Sequence, residues 1–134
     1  MQVDVKLRNL PGTEAAVGWA GGHTIVADRP DGKAGGRGLG FNGAQLLALA
    51  LGGCFCNDLR YSAETLGVAV GEISVEVSLH LDGSPPLATA ASLTVNCTMA
   101  DGSDPAPVIA LAKTTCMVSN SLMRGIPVTV TAPG

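Results

Sequence analysis

Four cysteines carry most of the chemistry open to this sequence: Cys54, Cys56, Cys97 and Cys116. A thiol becomes a nucleophile or ligand once ionised, which needs a nearby cation, a helix N-terminus or hydrogen-bond donors. Cys54 and Cys56 lie in AQLLALALGGCFCNDLRYSAETL, a helical stretch. Two residues along a helix turn a side chain by about 200°. The pair therefore faces different ways and can neither share a metal ion nor join as a disulfide without unwinding the helix. Cys54 alone stays open to two readings, a small hydrophobe on an apolar helix or a reactive thiol. Cys56 and the strand-borne Cys97 read as structural. Cys116 precedes Ser119-Asn120-Ser121 and then Arg124, a cation within reach of its thiol or simply a solvated arginine.

Other constellations are weaker. Residues 38–43 spell Gly-Leu-Gly-Phe-Asn-Gly, a GxGxxG match. A dinucleotide fingerprint should sit directly between a strand and a helix, with an acidic residue about 20 positions on. Neither condition is met, so a glycine-rich loop is the better reading. His23 and His80 are isolated on strand-like stretches and lack ligand spacing. The sequence gives no metal site and calls for no cofactor.

The elements that must position these groups follow from periodicity. Residues 3–8 alternate apolar and polar, as a half-buried strand does. Residues 15–20 and 23–28 read as a hairpin joined at Gly21-Gly22. Residues 30–43 hold six glycines and one proline, a flexible connection. Residues 44–66 form a long helix, with Asn42 as N-cap and Gly67 as C-terminal stop. Its first half is apolar on nearly every face, so it should be central and buried. Gly52-Gly53 costs the helix about 1 kcal/mol per glycine, which implies close approach of another backbone. Residues 72–81 and 90–98 are paired strands. Asp104 or a neighbour caps a second helix over 106–116. Residues 126–131 finish as a strand, and Pro127 implies that it lies at an edge or begins there.

The chain has 134 residues, enough for one domain over 1–134 with α+β content. Only 3% of residues are aromatic, so the core is aliphatic. A net charge of −3 without any Lys/Arg run excludes a nucleic-acid or lipid footprint. No apolar run nears the roughly 20 residues of a membrane span, and MQVDVKLRNLPG lacks the apolar stretch of a secretory signal. A cytoplasmic location with reduced thiols is expected.

Two segments together resemble the cysteine signatures of the OsmC/Ohr family: Gln45-Leu46-Leu47-Ala48-Leu49-Ala50-Leu51-Gly52-Gly53-Cys54 and Cys116-Met117-Val118-Ser119-Asn120-Ser121-Leu122. The order of elements agrees from about residue 3 to 131. The resemblance implies an OsmC-like fold, two central helices packed against antiparallel sheets in an interwound homodimer, with active sites at the dimer interface. It also implies a hydroperoxide reductase serving oxidative stress defence. Cys54 would attack the peroxide and become a sulfenic acid; Cys116 would resolve it as a disulfide. An external dithiol, in many members a lipoylated protein, would reduce the pair. Peroxide-reducing members carry a glutamate where Ala44 or Gln45 stands here, and a proline where Met117 stands. Gln45, Asn120 and an arginine are then the groups left to orient the peroxide, with Arg8, Arg29 and Arg37 as N-terminal candidates alongside Arg124. The absent glutamate also leaves room for a non-catalytic small-molecule-binding or redox-sensing protein on this scaffold.

Overall fold

The structure, a computed structural model, describes residues 1–133. Its contacts divide the chain into two compact units, Met1–Leu47 and the remainder from Ala48. In the first, β1 (Lys6–Asn9), β2 (Ala16–Ala20) and β3 (His23–Ala27) form an antiparallel sheet in that order. Ala20 pairs with His23, and Gly21 turns the hairpin at a φ of 58° that a side chain would resist. The first strand is shorter than its alternation suggests. Val3 and Val5 lie before it, 81% and 57% exposed, because none of the described residues pairs with them.

The glycine-rich stretch is an ordered loop rather than a flexible connection. The Asp28 carboxylate holds it from inside: Oδ1 accepts the Arg29 N–H (2.8 Å) and an Arg29 Nη2 proton (3.1 Å). Oδ2 accepts the N–H groups of Arg37 and Leu39, both at 3.0 Å. Ala27 and Phe41 then form an isolated parallel bridge beyond it, the Phe41 N–H donating to the Val26 carbonyl and the Asp28 N–H to the Phe41 carbonyl, each at 3.0 Å. Gly40 is required there, since a Cβ would fall 2.0 Å from the Val26 carbonyl oxygen.

Helix α1 (Gly43–Leu66) begins in the first unit and continues through the second. Its N-terminus is a reciprocal cap, the Gln45 N–H donating to Asn42 Oδ1 and the Asn42 N–H to Gln45 Oε1, each at 2.9 Å. In the second unit follow β4 (Val70–Asp82), β5 (Leu87–Met99), α2 (Ala106–Thr115) and α3 (Met117–Arg124). β4 and β5 pair as one long antiparallel hairpin. Asp104 Oδ1 accepts the Ala106 N–H at 3.0 Å, supporting the start of α2. No described helix is long and apolar enough to cross a membrane.

The core lies between α1, α2 and one face of the hairpin. Phe55, Leu59, Ala63, Met99, Val108, Ala112 and Cys116 are its buried members, with Ile73, Val75, Leu93 and Val95 packed against them. The period-2 alternation of both strands puts those residues on one face. Gly52 lets α1 settle on the sheet, as a Cβ would lie 2.8 Å from Val77 Cγ2. The close approach is thus to a side chain, not a backbone, and Gly53 faces open space. The helix is also less enclosed than its composition suggests, with Leu49 exposed in the single chain.

Two expectations differ at the end of the chain. The polar run after Cys116 is helical, stopped by Gly125 at φ 78°. Residues 126–131 form no strand, and Ile126, Val128 and Val130 are 69%, 80% and 93% exposed. The alternation is real, but a strand needs a neighbour to receive its backbone hydrogen bonds, and the described residues supply none.

Candidate functional site: two thiols and a carboxylate

Cys54 stands on α1, half-buried, on the edge of the stripe that α1 presents to the core. Cys116 occupies the single residue between α2 and α3. Its N–H donates to the Ala112 carbonyl (2.9 Å) and ends α2; its carbonyl accepts the Asn120 N–H (3.0 Å) and opens α3. Asn120 reinforces this corner, its Nδ2 donating to the carbonyls of Cys116 (2.8 Å) and Thr114 (3.2 Å). The thiol is thereby fixed at the N-terminus of α3 and is wholly buried.

A third group completes the cluster. Asp58 is four residues after Cys54, one helical turn on and so on the same face. The Cys54 Sγ–H donates to Asp58 Oδ2 at 3.4 Å. One ligand atom from each of Cys54, Asp58 and Cys116 lies within 4.8 Å of the others. Neither thiol is bridged, and all four cysteines are free.

The electrostatics are unbalanced. Burial pushes the Cys116 thiol up, the Ser119 N–H opposes that, and Cys54 and Asp58 push it up again. Among the described residues Arg29–Asp28 is the one ion pair, so Asp58 has no ion-pair partner among them. Cys97 is raised by burial, with Arg60 opposing, and faces Ile73 across the hairpin, a packing position. A cavity of about 430 Å³ is lined by Phe55, Leu93, Val95, Ile109 and Met123, with Lys113 and Ser119; none of Cys54, Asp58 and Cys116 is in its lining.

None of the other sequence candidates has a side-chain hydrogen bond to either sulfur among the described residues. Gln45 belongs to the cap of α1 and Asn120 to the α2–α3 corner. Arg8 lies over the Trp19 ring, 5.4 Å from its centroid. Arg29 joins Asp28 and donates to the Glu14 carbonyl. Arg37 contributes its backbone N–H to Asp28 while its side chain is exposed, as is that of Arg124. Asp58 went unnoticed in the sequence, although its spacing of four from Cys54 was the available signal.

The architecture and its two facing thiols place the chain among small α+β thiol proteins. Within that class it belongs to the OsmC-like protein family, whose model matches residues 35–131. Solved structures of the same fold include an OsmC-like protein from Mycoplasma pneumoniae, 14% identical, covering 92% of this chain and 88% of that one at a TM-score of 0.74. An organic hydroperoxide resistance protein OsmC from Legionella pneumophila is 18% identical, with coverages of 91% and 89% and a TM-score of 0.63. The organic hydroperoxide resistance protein OhrB of Bacillus subtilis is 23% identical, covering 90% of each chain at a TM-score of 0.59. No curated protein matches the sequence.

Proposed function

We propose that this chain is a cysteine-based hydroperoxide reductase, with Cys54 as nucleophile and Cys116 as resolving thiol. The observation that carries this is the meeting of a half-exposed thiol with a buried one whose environment keeps it protonated. Cys54 gives up its proton and its thiolate attacks the terminal peroxide oxygen; the O–O bond breaks, the leaving alkoxide takes up that proton as an alcohol, and Cys54 becomes a sulfenic acid. The Cys116 sulfur then attacks the Cys54 sulfur, its proton leaves with the hydroxyl as water, and a disulfide forms. An external dithiol, of which a lipoylated protein is one source, takes up the oxidation and restores both thiols. Resemblance to proteins named for hydroperoxide resistance agrees with this reading.

The working unit is proposed to be a homodimer in the cytoplasm. Two apolar alternating segments, around Val3–Val5 and Ile126–Val130, are exposed without strand partners, and a second copy supplies both pairing and cover. The orienting groups for the peroxide are sought in Gln45, Asn120, Arg37 and Arg124, as the family resemblance suggests. The apolar cavity favours a second reading, a small-molecule-binding protein without turnover. Peroxide consumption with cumene hydroperoxide and dihydrolipoamide separates the two. The reductase reading expects turnover that Cys54→Ser and Cys116→Ser both abolish; turnover that survives Cys54→Ser refutes it.

A further inference from the structure

Asp58 is not explained by peroxide chemistry. An acidic group against a nucleophilic thiol opposes formation of the thiolate, and here its ligand atom lies within 4.8 Å of the second sulfur as well. Three groups that carry negative charge when ionised converge, and among the described residues Asp58 forms no ion pair. A divalent cation is what resolves such a convergence.

We propose that Cys54, Asp58 and Cys116 form a binding site for a thiophilic divalent metal of the Zn²⁺ class. The donor set is two sulfurs and one carboxylate oxygen, which suits zinc rather than magnesium or calcium. With Zn–S near 2.3 Å and Zn–O near 2.0–2.2 Å, a tetrahedral S–Zn–O edge is about 3.5 Å. The Cys54–Asp58 separation of 3.4 Å already matches it. The three donor atoms span at most 4.8 Å, so Cys116 needs only a small side-chain adjustment. Cys54 and Asp58 share one helix face, and Cys116 is clamped by the α2–α3 corner, so the site is largely preformed. Three protein ligands leave the fourth tetrahedral position to water or another donor.

Binding replaces two thiol protons: one Zn²⁺, two thiols and one carboxylate give the complex and two released protons. Metal affinity therefore rises with pH. Occupancy consumes both thiols at once and shields them from oxidation. That consequence for turnover rests on the reductase reading; the binding itself does not.

The test uses Co²⁺ as a spectroscopic probe, titrated into the reduced full-length protein in a phosphine reductant. The expected result is a near-ultraviolet thiolate-to-cobalt charge-transfer band that saturates at one equivalent and is displaced by Zn²⁺. Cys116→Ser and Asp58→Asn each weaken binding by at least about 10-fold, the loss that even outer partners of a metal ligand produce. Cys56→Ser leaves it unchanged, and circular dichroism checks that each variant is folded. Absence of the band at one equivalent overturns the proposal. So does a band that persists undiminished in Cys116→Ser, or an affinity that Asp58→Asn does not alter. Peroxide is absent throughout, so failure here and failure of the reductase reading remain distinct.

Discussion

Asp28 and Asp58 are both aspartates turned inward, and they are opposites. Asp28 accepts four hydrogen bonds from three residues of its own loop and an adjoining guanidinium. Those donors hold its carboxyl below the usual carboxylate range, the Leu39 N–H first among them, against the opposing pull of burial. Asp58 has one recorded partner, a thiol, and looks across at a second. One carboxylate is saturated and organises backbone. The other keeps unused lone pairs beside two oxidisable sulfurs. A fully satisfied polar group rigidifies, whereas a partly satisfied one is where chemistry or a ligand is expected.

The strongest way to break this comparison is oxidation. Joining Cys54 to Cys116 removes the one donor to Asp58 among the described residues and leaves Asp28 untouched. Closing a loop of about sixty residues should raise stability by up to about 4 kcal/mol in the chain-entropy account. Urea midpoints of the peroxide-treated and reduced protein measure it; equal midpoints count against a disulfide between these two residues.

Next comes the saturated carboxylate. Asp28→Ala should strip the loop of its anchor and lower the urea midpoint markedly, with increased proteolysis between residues 30 and 42. The pH dependence sharpens the same point. Asp28 has a lowered carboxyl pKa in the folded state, so its contribution is present above the ordinary carboxylate value and is lost as pH falls through the lowered one. Cys116 has a raised thiol pKa, so its contribution is present below the ordinary thiol value and is lost as pH rises through the raised one. A urea-midpoint profile should therefore fall at both ends, with Asp28→Asn flattening the acid limb and Cys116→Ser the alkaline limb.

Smaller effects follow. Gly52→Ala drives a Cβ against Val77 at 2.8 Å; overpacking of about 1–3 kcal/mol outweighs about 1 kcal/mol of helix propensity. The net loss of roughly 1 kcal/mol should appear as a lower melting temperature. Asp58→Asn, by contrast, should change stability by no more than about 0.5 kcal/mol while changing how the thiols react and bind. A large destabilisation from Asp58→Asn, seen by the same melting experiment, would erase the distinction between the two aspartates.

Much of this was legible in residue types. The hairpin at Gly21-Gly22, the alternation of the 72–81 strand and the Asn42 cap each rest on local rules, and the structure keeps them. The two cysteine segments pointed to the OsmC-like family. What escaped depended on partners far along the chain or absent from it. Asp28 gave no sign that it would order a glycine-rich loop, because three of its four donors are backbone N–H groups. Residues 117–124 are rich in Ser and Asn, which favour caps over helix interiors, yet Cys116 and Gly125 bound a short helix there. Residues 126–131 have the strand pattern without a neighbour to pair with. Asp58 was visible as a position four after Cys54, but its meaning needed Cys116 to be brought beside it.

The central claim is that Cys54 and Cys116 act as a pair. The most direct measurement is peptide mapping of the reduced protein after one equivalent of cumene hydroperoxide. The account predicts loss of two thiols per chain and a peptide cross-linked through Cys54 and Cys116, with Cys56 and Cys97 still alkylatable. Retention of all four thiols, or a cross-link that uses Cys56 or Cys97 instead, would contradict it.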